Sequence, residues 1–435
     1  MFYHCAVTKR FWTQCFCLVG LVLAWFWAAP SAWACAICAP AGETTWVSRL
    51  AVARQVVLAR SVGPPGEFVP VVAVKGPLPD AAAGPLRGVV DDRPALRAVD
   101  KRAPASLLAG AQPASDRLAV LSYSALTQRW MHIGELPRQR AAWLQKIAVL
   151  QPTAQVEAAG WPARLQFFLP DLENESPLVA QAAFEEVASA PYALMRQQLR
   201  APGPGIKPSP LQLLAPRSMQ LLTWLHNNDL AARHSLYYLL LGVAADPRSV
   251  DFLTQRLSQV VPTPIAGTPA AALSPADVSG LLAALIEIRG AAVLPWVEQH
   301  FLSHAAPISA QMTQDAQRTS MAMAQAAVLA LGVQAAAGAA TAQASGPVGS
   351  PAISTQQVVQ VFASYIRRHP EMAGLVASDL ASWGQWQFAE SFAQTLQSGR
   401  FIPFASRYAM VFYLLRNPRA EAKTLVEKLR LAKAI

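Results

Sequence analysis

The sequence predicts a mainly α-helical protein, an α-solenoid of paired helices that follows a small β-rich module. Apolar residues recur with a period of about two before Pro137 and of about 3.6 after it. After Pro137, short polar turns and helix-start signals separate the helical faces at intervals of tens of residues, which is typical of helix-pair repeats. We therefore expect a signal peptide over 1–34, a β-rich module over 35–136 and a helical repeat domain over 137–435.

The first 34 residues are typical of an export signal. Lys9 and Arg10 precede a long apolar run, and Ala32-Trp33-Ala34 supplies the small-x-small pattern that signal peptidase recognises. Cleavage would fall before Cys35, so we expect a periplasmic or otherwise extracytoplasmic protein. Two forms of membrane attachment stay open: an uncleaved signal that anchors the chain through 11–29, and lipidation of Cys35.

Cys35 and Cys38 are the only cysteines that remain after this cleavage. Haem attachment would need a histidine directly after Cys38, where the chain has Ala39. In an oxidising compartment a disulfide between the two thiols is the expected state. A redox site and a metal site at the same pair are the alternatives, with both cysteines as candidate ligands. We expect no cofactor.

The region before Pro137 carries short runs with β-strand character. The predicted strands cover 55–62, 68–74, 118–123 and 129–133, and a helical turn is predicted over 46–52. Residues 77–116 are rich in Pro, Ala, Gly and Arg without periodicity, and are predicted to form a long loop or an irregular excursion.

Three features of this region resemble netrin or metalloproteinase-inhibitor modules, which form an OB-like barrel. They are the cysteine at position 35, the strand residues 56–59 and the Val-Lys-Gly sequence at 74–76. The resemblance implies an OB-like fold. Those families tie their N-terminal cysteines to later ones, and this chain has no later cysteine. Protease inhibition is therefore not carried over to this chain, except as an alternative.

After Pro137 the sequence predicts helices with recurring start signals. Caps are predicted at Ser176, Asp246, Ser274, Ser354 and Asn417, each before an apolar helical face. The turn over 174–177 resembles the turn within HEAT repeats, and the recurring pattern predicts four or five helix pairs. Linkers are predicted over 201–210, 261–274 and 336–353.

Taken whole, the chain resembles a group of uncharacterised secreted bacterial proteins that combine an N-terminal Cys-x-x-Cys, a β-rich module and HEAT-like helices. The resemblance depends on Cys35 to Cys38, on the 174–177 turn and on the sequence over 379–386. It implies no particular activity.

Charge and motif content narrow the classes of function. The chain has 36 basic and 26 acidic residues and a net charge of +10, but its arginines are scattered rather than clustered, so nucleic-acid binding is not expected. An anionic partner such as a membrane surface or an acidic protein stays open. His300 and His304 follow Glu298 with helical spacing but lack the further ligands of a metal site.

No phosphate-binding loop, nucleophile elbow or zinc-protease motif is present. The sequence therefore favours an exported, non-catalytic scaffold that binds an envelope protein or peptide. A redox or metal-handling protein that uses Cys35 and Cys38 is the alternative.

Overall fold

The structure, a computed structural model, is mainly helical with a small five-stranded sheet in its N-terminal part, as predicted. It describes residues 37, 44–62, 66–80, 84–91, 116–200, 207–259, 273–303, 314–343, 353–433 and 435. The predicted signal peptide lies outside these residues.

The sheet is formed by the chain segment before residue 138. Helix α1 (Trp46–Val52) precedes it. The strands are β1 (Gln55–Ser61), β2 (Phe68–Lys75), β3 (Val90–Asp91), β4 (Arg117–Ser124) and β5 (Arg129–Pro137). The four predicted strands and the helical turn are confirmed. The short strand β3 lies within 77–116, the predicted loop or irregular excursion, and was not predicted; its two residues pair with β5.

The strand order is β2-β1-β4-β5-β3, with β3 parallel to β5 and the other pairs antiparallel. Phe68 at the start of β2 also exchanges two backbone hydrogen bonds with Leu86, shortly before β3. The segment over 84–91 therefore reaches from one edge strand towards the other. One face of the sheet joins the main core, and the other packs under this segment in a smaller core that includes Val57, Leu121 and Trp130.

The remaining α-helices follow the sheet in the chain. They are α2 (Ala141–Ala148), α3 (Trp161–Phe168), α4 (Pro177–Ser189), α5 (Tyr192–Leu199), α6 (Pro210–Leu214), α7 (Ser218–His226), α8 (His234–Ala244), α9 (Ser249–Ser258), α10 (Pro275–Arg289), α11 (Leu294–Val297), α12 (Gln314–Gln343), α13 (Thr355–Arg368), α14 (Gly374–Ser382), α15 (Ala389–Gln397), α16 (Phe404–Arg416) and α17 (Ala420–Leu431). Helix α11 continues as a π turn over Glu298–Leu302.

The predicted helix starts are confirmed at three of five positions. Ser274 and Ser354 form capping boxes, in which each hydroxyl accepts a hydrogen bond from the third residue of the helix. Ser176 stands at the N-cap of α4, but its hydroxyl makes no cap hydrogen bond. The prediction of Asp246 and Asn417 as caps was wrong. The Asp246 carboxylate and the Asn417 amide oxygen each accept a hydrogen bond from the backbone N–H two residues further along, in a turn that precedes the helix.

The Ala-rich helix α12 is longer than predicted. A linker was expected from about residue 336, but the helix continues to Gln343. Alanine has the highest intrinsic helix propensity, so a run of alanines sustains a helix after the apolar period ends.

Alternate helices contact each other: α8 contacts α10, α10 contacts α12, α12 contacts α14, and α14 contacts α16. Two glycines allow close approach within this series. A Cβ on Gly242 would lie 2.5 Å from the Cα of Ala284, and one on Gly280 would lie 2.6 Å from the carbonyl oxygen of Ser235. Helices α8 and α10 are therefore in direct backbone contact.

Candidate interaction surface

The residues proposed for redox or metal chemistry fall outside the part that the structure describes. Cys35 and Cys38 both lie there, and so does His304. The disulfide, metal and lipidation predictions therefore stay predictions. His300 is described, and its Nδ1 lies 2.9 Å from the carbonyl oxygen of Trp296. Among the described residues, no group of three or more His, Cys, Asp or Glu side chains could hold a metal ion.

The tryptophans that recur along the helices pack within the fold, as predicted. Trp143 donates a hydrogen bond to Asp171 at 3.0 Å, and Trp383 stacks on Phe362 with the ring centroids 5.8 Å apart. These contacts are ordinary packing between helices.

A buried charged cluster, which sequence reasoning missed, joins α5, α10 and α12. Glu287 is 2% exposed and accepts hydrogen bonds from Arg196 at 2.8 Å, from Arg200 at 2.9 Å and from the Tyr192 hydroxyl at 2.8 Å. The Tyr192 hydroxyl in turn accepts from Gln334 at 2.8 Å. Burial and the Glu287 carboxylate raise the pKa of Tyr192 well above its ordinary value. Since each member has a partner, the cluster stabilises the packing of three helices.

A second polar cluster connects α1 to α4. Glu186 pairs with Arg164, and both are buried. Its neighbour Glu185 accepts a hydrogen bond from the backbone N–H of Trp46 at 2.7 Å. Burial raises the pKa of Glu185 to about 7, although this hydrogen bond and one from Gln181 lower it. The carboxyl that accepts from the first residue of α1 therefore holds its proton more tightly than an ordinary glutamate does.

The feature that points to function is a row of exposed aromatic side chains on α16. Phe404, Tyr408 and Phe412 are 83%, 63% and 46% exposed, and we call these three residues the aromatic ridge. Consecutive ring centroids lie 6.5 and 6.3 Å apart, with interplanar angles of 23° and 12°. The Arg416 guanidinium lies 5.6 Å from the centroid of the Phe412 ring.

Helical geometry explains why the ridge is continuous. Side chains four residues apart lie on the same face of a helix with about 3.6 residues per turn. The opposite face of α16 carries Met410, Tyr413 and Leu414, all of them buried. The helix is thus apolar on both faces, and only one of them is covered by the described residues.

Two more large apolar residues close to the ridge in the chain are exposed. Phe401 is 74% exposed just before α16, and Leu415 is 55% exposed near its end. Single exposed apolar side chains are normal, but a contiguous group of this kind marks a site of interaction with a protein or a membrane. Sequence reasoning missed this surface, although the four-residue spacing of Phe404, Tyr408 and Phe412 was a usable signal.

The chain segment that carries the ridge has charges of one sign. Between Glu390 and Glu421 the chain has no acidic residue and four arginines. These arginines are Arg400, Arg407, Arg416 and Arg419. A surface that combines aromatic rings with positive charge favours a partner that is apolar and acidic.

A groove with a volume of about 370 Å³ lies between α15 and α17. Its lining includes Trp386, Glu390, Asn417, Arg419 and Lys428. Since it carries both acids and bases, the groove does not favour one sign of ligand charge.

No protein-family model, curated protein or solved structure matches this chain. Two of the described helices, over Pro275–Leu302 and Arg318–Ala339, are long and apolar enough to cross a membrane. Of their most apolar stretches, 72% and 56% are buried inside the fold, and core helices of soluble proteins have the same character.

Proposed function

We propose that this protein is an exported, non-catalytic interaction scaffold of the bacterial envelope, and that its partner binds at the aromatic ridge. The observation that carries the proposal is the ridge itself. The three aromatic side chains contribute little to the core and expose apolar area to water. This exposure is unfavourable unless a partner covers the area.

The helix packing supports a HEAT-like solenoid as the scaffold. Helices α8, α10, α12, α14 and α16 follow one another in a layer, and α7, α9 and α15 pack on members of that layer. Helix pairs stacked in this way give an extended surface on which proteins and peptides dock. The export part of the proposal comes from the signal-like residues 1–34.

The sheet supports an OB-like module at the N-terminal end. Its five strands have the order β2-β1-β4-β5-β3, and the Phe68–Leu86 bridge brings the two edges towards each other. A five-stranded, partly open barrel is the architecture of the OB-fold. We assign no ligand to this module.

Photo-crosslinking in the envelope fraction tests the scaffold proposal. Benzoylphenylalanine would replace Phe401, which is exposed three residues before Phe404 in the chain; this substitution leaves the three rings of the ridge intact. The matched control carries the same group at Leu213 on α6, which is 71% exposed. We expect a discrete, saturable crosslinked protein from position 401 only. Equal products from both positions, or none from either, would contradict the proposal.

The redox or metal alternative rests on Cys35 and Cys38, the only cysteines left after cleavage of the predicted signal peptide. The intact mass of the exported protein tests it, since a free dithiol, a disulfide, a bound metal and a lipid differ in mass. An inert disulfide without metal, which does not exchange with a dithiol, would exclude the alternative.

A further inference from the structure

The aromatic ridge lies on the side of α16 that faces away from α14. The N–H of Gly374, the first residue of α14, donates a hydrogen bond to the Ser406 hydroxyl at 3.0 Å. Phe404 and Tyr408 are each two residues from Ser406, which places them about 160° around the helix from it. The ridge therefore occupies the side on which a further helix of the layer would lie.

The other helices of this layer have neighbours on two sides. Helix α10 contacts α8 and α12, and α14 contacts α12 and α16. Their apolar residues are largely buried; in α10, for example, an unbroken run from Asp277 to Glu287 is buried. Among the described helices, α14, α15 and α17 contact α16, and none of them covers the face that carries the exposed ridge. The repeat thus ends on a face that is suited to receive a helix.

The spacing of the ridge also fits a helix better than a flat surface. Side chains at every fourth position form a row that inserts between the side-chain rows of a second helix, which is the commonest packing mode of helices. The rings of Phe404, Tyr408 and Phe412 follow one another at 6.5 and 6.3 Å along such a row.

Charge decides what kind of helix would fit. Over 391–420 the chain carries four arginines and no acid. A second copy of α16 would bring its own Arg416, which lies over the Phe412 ring, to the contact, and like charges oppose association. A helix with an apolar face flanked by Asp and Glu would be attracted.

We propose that the aromatic ridge binds an amphipathic helix from another protein, apolar on one face and acidic along its flanks, which adds one helix to the layer formed by α8 to α16. This inference rests on the proposed scaffold function and names the class of its partner.

Binding of synthetic peptides to the full chain, followed by fluorescence anisotropy, tests the inference. The probe is a labelled helical peptide as long as α16 with leucines on one face and glutamates on the others. One control peptide has the same composition in scrambled order, and a second has lysine in place of each glutamate. We expect binding of the first peptide only, and weaker binding as the salt concentration is raised from about 0.05 M to about 0.5 M.

Two protein variants locate the site. Phe404→Ser together with Tyr408→Ser should weaken binding of the acidic peptide by about tenfold or more. Leu213→Ser, an equally exposed apolar position on α6, should leave it unchanged. Both variants change exposed side chains, and equal thermal unfolding temperatures would confirm that they fold.

Three results would overturn the inference: equal binding of the amphipathic and scrambled peptides, binding only to vesicles that contain phosphatidylglycerol, or self-association through the ridge in light scattering. If the peptides fail while position 401 still captures a saturable envelope protein, the scaffold function stands and the partner class is wrong. If neither experiment gives binding at the ridge, both proposals fail.

Discussion

The Glu185 carboxyl should make the stability of this protein decrease as the pH rises towards neutrality. Its pKa rises from an ordinary 4.5 to about 7 because of burial. The groups that face it are the Trp46 N–H, Gln181, Arg49 and the adjacent Glu186. Since the folded state holds the proton more tightly than the unfolded chain does, the free energy of unfolding falls as the pH rises from 4.5 to about 7 and is then constant.

The size of the effect follows from the pKa difference. One pKa unit corresponds to about 1.4 kcal/mol, so this shift amounts to a loss of about 3 kcal/mol between the two pH values. The substitution Glu185→Gln removes the ionisation and keeps an oxygen that can accept from the Trp46 N–H. The variant should therefore be more stable than the natural protein at about pH 8, by up to about 3 kcal/mol, and should equal it near pH 4.5.

Urea unfolding followed by tryptophan fluorescence across this pH range measures the difference. Glu157→Gln is the matched control, because Glu157 is an exposed glutamate, and it should not change the pH dependence. The reasoning is refuted if Glu185→Gln follows the same pH profile as the natural protein, or if its advantage appears at acidic rather than alkaline pH.

Three further predictions concern the buried contacts of the helical region. Gly242→Ala should lower the free energy of unfolding by about 1–3 kcal/mol in urea titration, because its Cβ would lie 2.5 Å from the neighbouring helix, and an unchanged value would contradict the close approach of α8 and α10. Tyr192→Phe should cost about 1–3 kcal/mol, since it removes the hydroxyl between Glu287 and Gln334; a neutral effect would show that these two groups find other partners. Asp379→Asn should stabilise the protein above pH about 6 but not near pH 3.8, because burial raises the pKa of Asp379 to about 6. Urea unfolding at both pH values measures this, and the same difference in stability between variant and natural protein at both would contradict it.

The sequence predicted the elements that depend on local signals. Ser274 and Ser354 carry the complete pattern of a capping box, so both helix starts were predictable. Asp246 is followed by Pro247 and Asn417 by Pro418. At these two positions the side-chain oxygen accepts a hydrogen bond within a turn instead of at a helix start. Residue type alone does not distinguish a turn from a helix cap. The strand β3 has only two residues and forms through pairing with β5, which local propensity does not report.

The site was harder to predict because it depends on what lies next to a helix. Periodicity shows that Met410 and Leu414 share one face of α16, but Phe404 and Tyr408 make the other face apolar as well. Only the packing of α14 against α16 shows that the face with Met410 and Leu414 is buried and the face with Phe404 and Tyr408 is exposed. The charged cluster around Glu287 was hidden for a similar reason, since its members come from three separate helices.

Competition for the crosslink from position 401 tests the central claim, that the aromatic ridge is the binding surface, most directly. Envelope fractions would be irradiated with the benzoylphenylalanine protein in the presence of increasing amounts of unlabelled chain. Unlabelled natural protein should suppress the crosslinked product, and the Phe404→Ser, Tyr408→Ser chain should not. Equal suppression by both chains would show that the partner binds elsewhere and would contradict the claim.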